Sequence, residues 1–92
     1  MNEYLVERYL PSVTDGQLDD ASTRLAAAAI ELAAEGVDVR YIGSTFIPEE
    51  ESCLCRFEAS NANAVRRACA RAGVELARIV QTRDIPPRTE DA

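Results

Sequence analysis

The sequence predicts an α+β domain with the element order strand, helix, strand, strand, helix, strand, and three observations carry that prediction. Two stretches with apolar residues at helical spacing each open on a capping residue and close on a glycine, Gly36 and Gly73. Around them lie runs rich in β-branched and aromatic residues with a period of two. Between the second and third of these runs stand only Pro48, Glu49, Glu50 and Glu51, a link short enough to demand an antiparallel hairpin.

Residues 3–10 read as the first strand, with Leu5, Glu7 and Tyr9 on one face and Tyr4, Val6, Arg8 and Leu10 on the other. Pro11 ends the pairing. Thr14-Asp15-Gly16-Gln17 has the spacing of a capping box, so a helix starts there. Its inner stripe is Leu18, Ala21, Leu25, Ala28, Ala29, Leu32 and Ala33, and its alanine run fits a thin helix lying close on a sheet. The second strand covers residues 37–47, with Gly43-Ser44 marking a bulge or a close approach. The third, residues 52–58, holds Cys53, Cys55 and Phe57 on one face and Leu54, Arg56 and Glu58 on the other, and is read as central. Ser60 or Asn61 caps the second helix, which buries Val65, Ala68, Cys69 and Ala72 and turns Arg66, Arg67 and Arg71 to water. A last strand follows over residues 78–83. The domain therefore spans 1–83, and residues 84–92, with Pro86-Pro87 among charges, form a flexible tail.

This order describes two split crossover units, the ferredoxin-like arrangement: a four-stranded antiparallel sheet with both helices on one face. The other face is then bare. In the registration that turns Glu7 toward the helices, the bare face carries Val6, Ile42, Phe46, Leu54 and Val80 among Arg8, Arg40, Arg56 and Glu58. That mixture is too apolar for water and too charged for a core, so a homodimer closing sheet on sheet is expected. In the reversed registration Glu7 faces the dimer interface and meets Arg56 or Arg40.

Composition removes several function classes. The net charge is −6 and all 10 basic residues are Arg, which does not fit a polyanionic partner such as nucleic acid. No apolar run is long enough to cross a membrane, and the start of the chain lacks the pattern of a signal peptide. An odd number of cysteines without framework spacing points to reduced thiols and a cytoplasmic location. The chain has no His, so the usual general base and the commonest transition-metal ligand are both missing.

The segments Tyr4-Leu5-Val6-Glu7-Arg8, Leu10-Pro11, Glu35-Gly36-Val37, Cys55-Arg56-Phe57-Glu58-Ala59 and Arg71-Ala72-Gly73 resemble a bacterial family of domains of unknown function. That family includes a small nickel-binding protein with a dimeric ferredoxin-like fold. The resemblance covers the chain to about Thr82 and implies the same fold. Where the family pattern places His, after the aromatic-aliphatic pair of the second strand and one residue before Cys69, this chain has Gly43 and Ala68; its Glu7 and Cys55 match. Nickel binding through imidazole is therefore not possible here, and what the resemblance leaves is a cavity beside a carboxylate and a thiol.

The candidate ligand-binding residues are Glu7, Tyr9, Tyr41, Cys53 and Cys55. Cys53 and Cys55 stand two apart on a strand and point the same way, yet two thiolates are too few for a closed metal site, and cysteine packs as a small hydrophobe in most cores. Glu7 inside the sheet would need a partner, either an Arg or the hydroxyl of Tyr9 or Tyr41. No nucleophile has an adjacent base, and the glycines form no phosphate loop. The leading expectation is a small cytoplasmic homodimer, non-enzymatic, binding a ligand or metal near the cleft between helices and sheet. Two alternatives stand beside it: an acid/base enzyme of the dimeric ferredoxin-like barrel type using Glu7 with a Tyr, and a purely structural or partner-binding module.

Overall fold

The computed structural model describes residues 1–88. Its elements are β1 (Asn2–Tyr9), α1 (Asp15–Ala34), β2 (Val39–Ile47), β3 (Ser52–Ala59), α2 (Ala62–Ala72) and β4 (Arg78–Thr82), with a 3-10 turn at Pro48–Glu50. The strands form one antiparallel sheet in the order β2-β3-β1-β4, so β3 and β1 are central. Both helices pack on one face, and the slab is only 19 Å along its shortest axis.

Local chemistry sets the element ends. Thr14 Oγ1 accepts from the Gln17 amide at 3.1 Å, and Gln17 Oε1 accepts from the Thr14 amide at 3.0 Å, completing the capping box of α1. Asn61, not Ser60, caps α2, its Oδ1 accepting from the Ala64 amide at 2.9 Å. Gly73 ends that helix at φ 68, a left-handed conformation that costs a side chain energy. Arg71 then clamps the helices together, donating to Glu35 Oε2 and Oε1 at 2.6 and 2.9 Å. The hairpin turns through Glu51 in the left-handed region, and Glu51 also holds the β1–α1 loop: its carbonyl accepts from Leu10 N at 2.7 Å and its carboxylate from Ser12 N at 2.9 Å.

The core lies between the helices and one face of the sheet. From β3 it takes Cys53, Cys55, Phe57 and Ala59; from α1 Ala21, Leu25, Ala28, Ala29 and Leu32; from α2 Ala64, Val65, Ala68, Cys69 and Ala72. Small residues on both helices let their backbones approach the strands closely. Leu18 is only partly buried and Ala33 is exposed, so the inner stripe of α1 is narrower than its sequence pattern.

The registration of β1 is the reverse of the one adopted from the sequence. Val6 is 0% exposed and Tyr4 6%, and they lie directly opposite Cys55 and Phe57 on the helix face. Arg8 faces the same way, opposite Cys53, whereas Glu7 lies on the bare face between Leu54 and Arg78. The outer face of β1 carries Glu3 and Glu7 with Leu5 and Tyr9, and the inner face Arg8 with Tyr4 and Val6, so both mix charge with bulk and pairing with the apolar face of β3 fixes the choice. Phe46 is corrected too. The ladder slips between Tyr41 and Gly43, which puts Phe46 opposite Cys53 on the helix face while Ile42, 47% exposed, stays on the bare face with Arg56. The expected bulge is thus present, and it splits Ile42 from Phe46. The tail expected over residues 84–92 has no helix or strand as far as Arg88; residues 89–92 lie outside the described residues.

Phe57 is fully buried and tilts against Tyr41 with ring centroids 5.3 Å apart. Phe57→Ala is expected to lower the unfolding free energy by about 3–5 kcal/mol, read from urea melts, because the cavity forms where both layers meet. A loss under about 1 kcal/mol would show that this core collapses around the missing ring.

Candidate functional site

The five candidate residues do not share one place. Glu7, on the bare face, pairs with Arg78 at 3.0 Å across the β1–β4 ladder. Tyr9 is 64% exposed at the end of β1. Tyr41 is on the helix face, where its hydroxyl shares hydrogen bonds with Ser22 Oγ at 3.0 Å and with Ser44 Oγ. Cys53 and Cys55 are buried on that face, and Cys69 of α2 is buried with them. The sheet therefore separates Glu7 from Tyr41 and from the thiols. The cavity expected beside a carboxylate and a thiol is not assembled: Gly43 pairs with Arg56 of the bare face, while Ala68 is wholly buried under the helices.

Cys53 and Cys69 are protonated core groups. Burial is the main cause that raises the Cys53 pKa from 9.0 to about 11, with Cys55 adding to it and Arg8 and Ser44 opposing. Burial likewise raises Cys69 to about 11, again with Cys55 adding and Arg8 opposing. A soft metal would have to displace those protons, and among the described residues no three Cys, Asp or Glu side chains are placed to hold an ion. Every buried side-chain nitrogen or oxygen among the described residues has a hydrogen-bond partner.

The bare face is the other candidate. Its rows run Arg40, Glu58, Glu3, Thr82; then Gly43, Arg56, Leu5, Val80; then Thr45, Leu54, Glu7, Arg78. A cavity of about 300 Å³ opens at one end, lined by Glu3, Leu5, Ile42, Arg56, Glu58 and Asp84 among others. Arg40 Nη1 donates to Glu58 Oε1 at 2.9 Å. Arg56 Nη1 donates to Thr45 Oγ1 at 2.8 Å and forms no ion pair among the described residues. Its other terminal nitrogen lies where a side chain at position 43 would begin, 3.1 Å from an added Cβ, so Gly43 makes room for it. Asp84 is the chief cause that raises the Glu3 pKa, followed by partial desolvation and the charge of Glu58. Glu3 and Asp84 were not singled out in the sequence; the β1–β4 register that joins them is long-range, and Asp84 reads there as tail.

Residues 4–82 match the family model described as nickel responsive protein SCO4226-like. Among solved structures the chain is similar to that of SCO4226 from Streptomyces coelicolor A3(2), with 21% identity, a TM-score of 0.71, and coverage of 91% of this chain and 99% of that one. That likeness supports the ferredoxin-like fold. No curated protein matches.

The raised thiols set a pH dependence. Their folded pKa values lie above the unfolded one, so the stability they contribute is complete below pH 9 and is lost as pH rises through about 11. Urea midpoints measured in reductant should fall over that window, and Cys69→Ala should make the fall shallower. In the native protein at pH 8, all three thiols should react with an aromatic disulfide far more slowly than in the unfolded chain.

Proposed function

The chain belongs to the SCO4226-like family of nickel responsive proteins, and from that premise we propose a non-catalytic homodimeric binding module that closes bare sheet face on bare sheet face. The observation that carries the reading is the bare face itself. Leu5, Leu54, Val80 and Ile42 lie only partly covered on it, next to one another, in a two-layer slab with no helix on that side among the described residues. An isologous contact sets residues away from the two-fold axis against different residues of the same surface. The unpaired Arg56 of one copy then has the acidic corner of Glu3, Glu58 and Asp84 of the other within its reach, and the mutual repulsion of Glu3 and Asp84 is relieved.

The interface so formed uses Ile42, Leu54, Arg56 and Val80 from the surface expected at the outset, and replaces Val6, Arg8 and Phe46 with Leu5 and Glu7. Glu7 supports a non-catalytic role: it is engaged by Arg78 and walled off by the sheet from Tyr41. Nickel, named in the family's description, does not fit these residues as an imidazole-held ion. The chain has no His, and Glu7 and Cys55 lie on opposite sides of the sheet. Three free buried thiols suit a reducing cytoplasm. No helix among the described residues is long and apolar enough to cross a membrane.

Sedimentation equilibrium at micromolar concentration should give a dimer. Leu54→Asp should weaken self-association at least about 100-fold, equivalent to about 2.7 kcal/mol, with unchanged circular dichroism. Ile30→Asp, on the exposed side of α1, should leave the dimer intact. A wild-type chain that sediments as a monomer would overturn the reading.

A further inference from the structure

On the helix side, at the end of β1, Arg8 is partly buried. Its Nε donates to the Glu75 carbonyl at 3.0 Å. Its terminal nitrogens form no other hydrogen bond or ion pair among the described residues. The guanidinium of this partly buried residue thus has no carboxylate partner among the described residues, and its planar fork is shaped to take one in two parallel bonds.

The surroundings of Arg8 offer donors. A groove of about 320 Å³ between the end of β1 and the first turns of α1 carries Arg8, Arg24, Tyr9 and Gln17 as its polar side chains, and no Asp or Glu lines it. Arg24 is partly neutralised by Asp20 at 3.0 Å and also donates to the Ala72 carbonyl at 2.8 Å. The capping box commits Gln17 Oε1 to the Thr14 amide, which leaves the NH₂ end of that side chain as a donor. The groove is therefore locally positive and donor-lined in a protein of net charge −6. Its remaining wall is apolar: Leu10, Pro11, Val13 and Ala21. Its volume lies at the lower end of small-molecule sites.

We infer that this groove binds a small organic carboxylate, its anionic end forked onto Arg8 beside Gln17 and its hydrocarbon part against Leu10, Pro11 and Val13. The site lies on the opposite side of the sheet from the dimer contact, so it stands or falls independently of it.

The test is a titration of the full chain with sodium hexanoate at constant ionic strength, followed by NMR at the Arg8 Nε–H and the amides of Leu10, Gln17 and Ala21. Saturable shifts at these positions are expected. Arg8→Met and Gln17→Glu should each weaken binding at least tenfold. Gln17→Glu is the discriminating variant: a Glu at that position keeps the capping box, so the urea midpoint should hold, while a carboxylate replaces the donor in the groove. Shifts that do not saturate overturn the inference, as does unchanged affinity in Gln17→Glu, even where Arg8→Met fails to fold. Inorganic phosphate binding as well as hexanoate would overturn the carboxylate assignment in favour of a bare oxyanion.

Discussion

A two-layer domain has one core, so each central strand can hide only one of its faces, and the pairing of β1 with β3 decides which. Val6 opposite Cys55 and Tyr4 opposite Phe57 place the larger apolar surface under the helices. Fully burying a valine or phenylalanine side chain stabilises by about 1.5–3 kcal/mol. The opposite choice would expose these residues and bury Glu7, and taking a lone carboxylate out of water costs several kcal/mol. From that one choice follow the buried thiols, the position of Arg8 beneath the helices, the Glu7–Arg78 pair outside, and the half-apolar face left uncovered.

The same constraint separates this chain's chemistry from what a linear reading joins together. Residues adjacent in a motif, such as Glu7 and Arg8, end on opposite sides of the sheet. Positions 43 and 68, where the resemblance places imidazoles, are likewise divided between the bare face and the core. Within one protomer, Gly43 serves to let Arg56 lie across β2, and Ala68 serves helix packing. The two proposed binding surfaces thus lie on opposite sides of the sheet, with the buried thiols packed between sheet and helices.

Much of the fold was legible because its signals are local. Thr14 to Gln17, Gly36, Gly73 and the four-residue hairpin link act through neighbours in sequence, and all mark the element ends they were expected to mark. What was not legible is parity. β1 has two bulky residues and some charge on each face, Glu3 and Glu7 on one and Arg8 on the other, and the slip at Ile42 breaks the alternation of β2 in its middle. Both are settled by partners more than ten residues away. The position of Glu7 is illegible for the same reason: parity alone allows it inside or outside, and the register with β3 and β4 places it outside. Arg8, assigned to the bare face, was lost as a helix-side candidate, and Asp84 was hidden in a tail whose start is near Glu3 only through the β1–β4 ladder.

The central claim is that the bare face is covered by a second copy of the chain. The most direct measurement is paramagnetic relaxation of methyl groups by a soluble gadolinium chelate, recorded at high concentration and again on dilution. Leu5, Ile42, Leu54 and Val80 should be as shielded as Val6 at high concentration and should become accessible on dilution, while Ile30 stays accessible throughout. Strong relaxation of Leu5 and Val80 at every concentration would contradict the account.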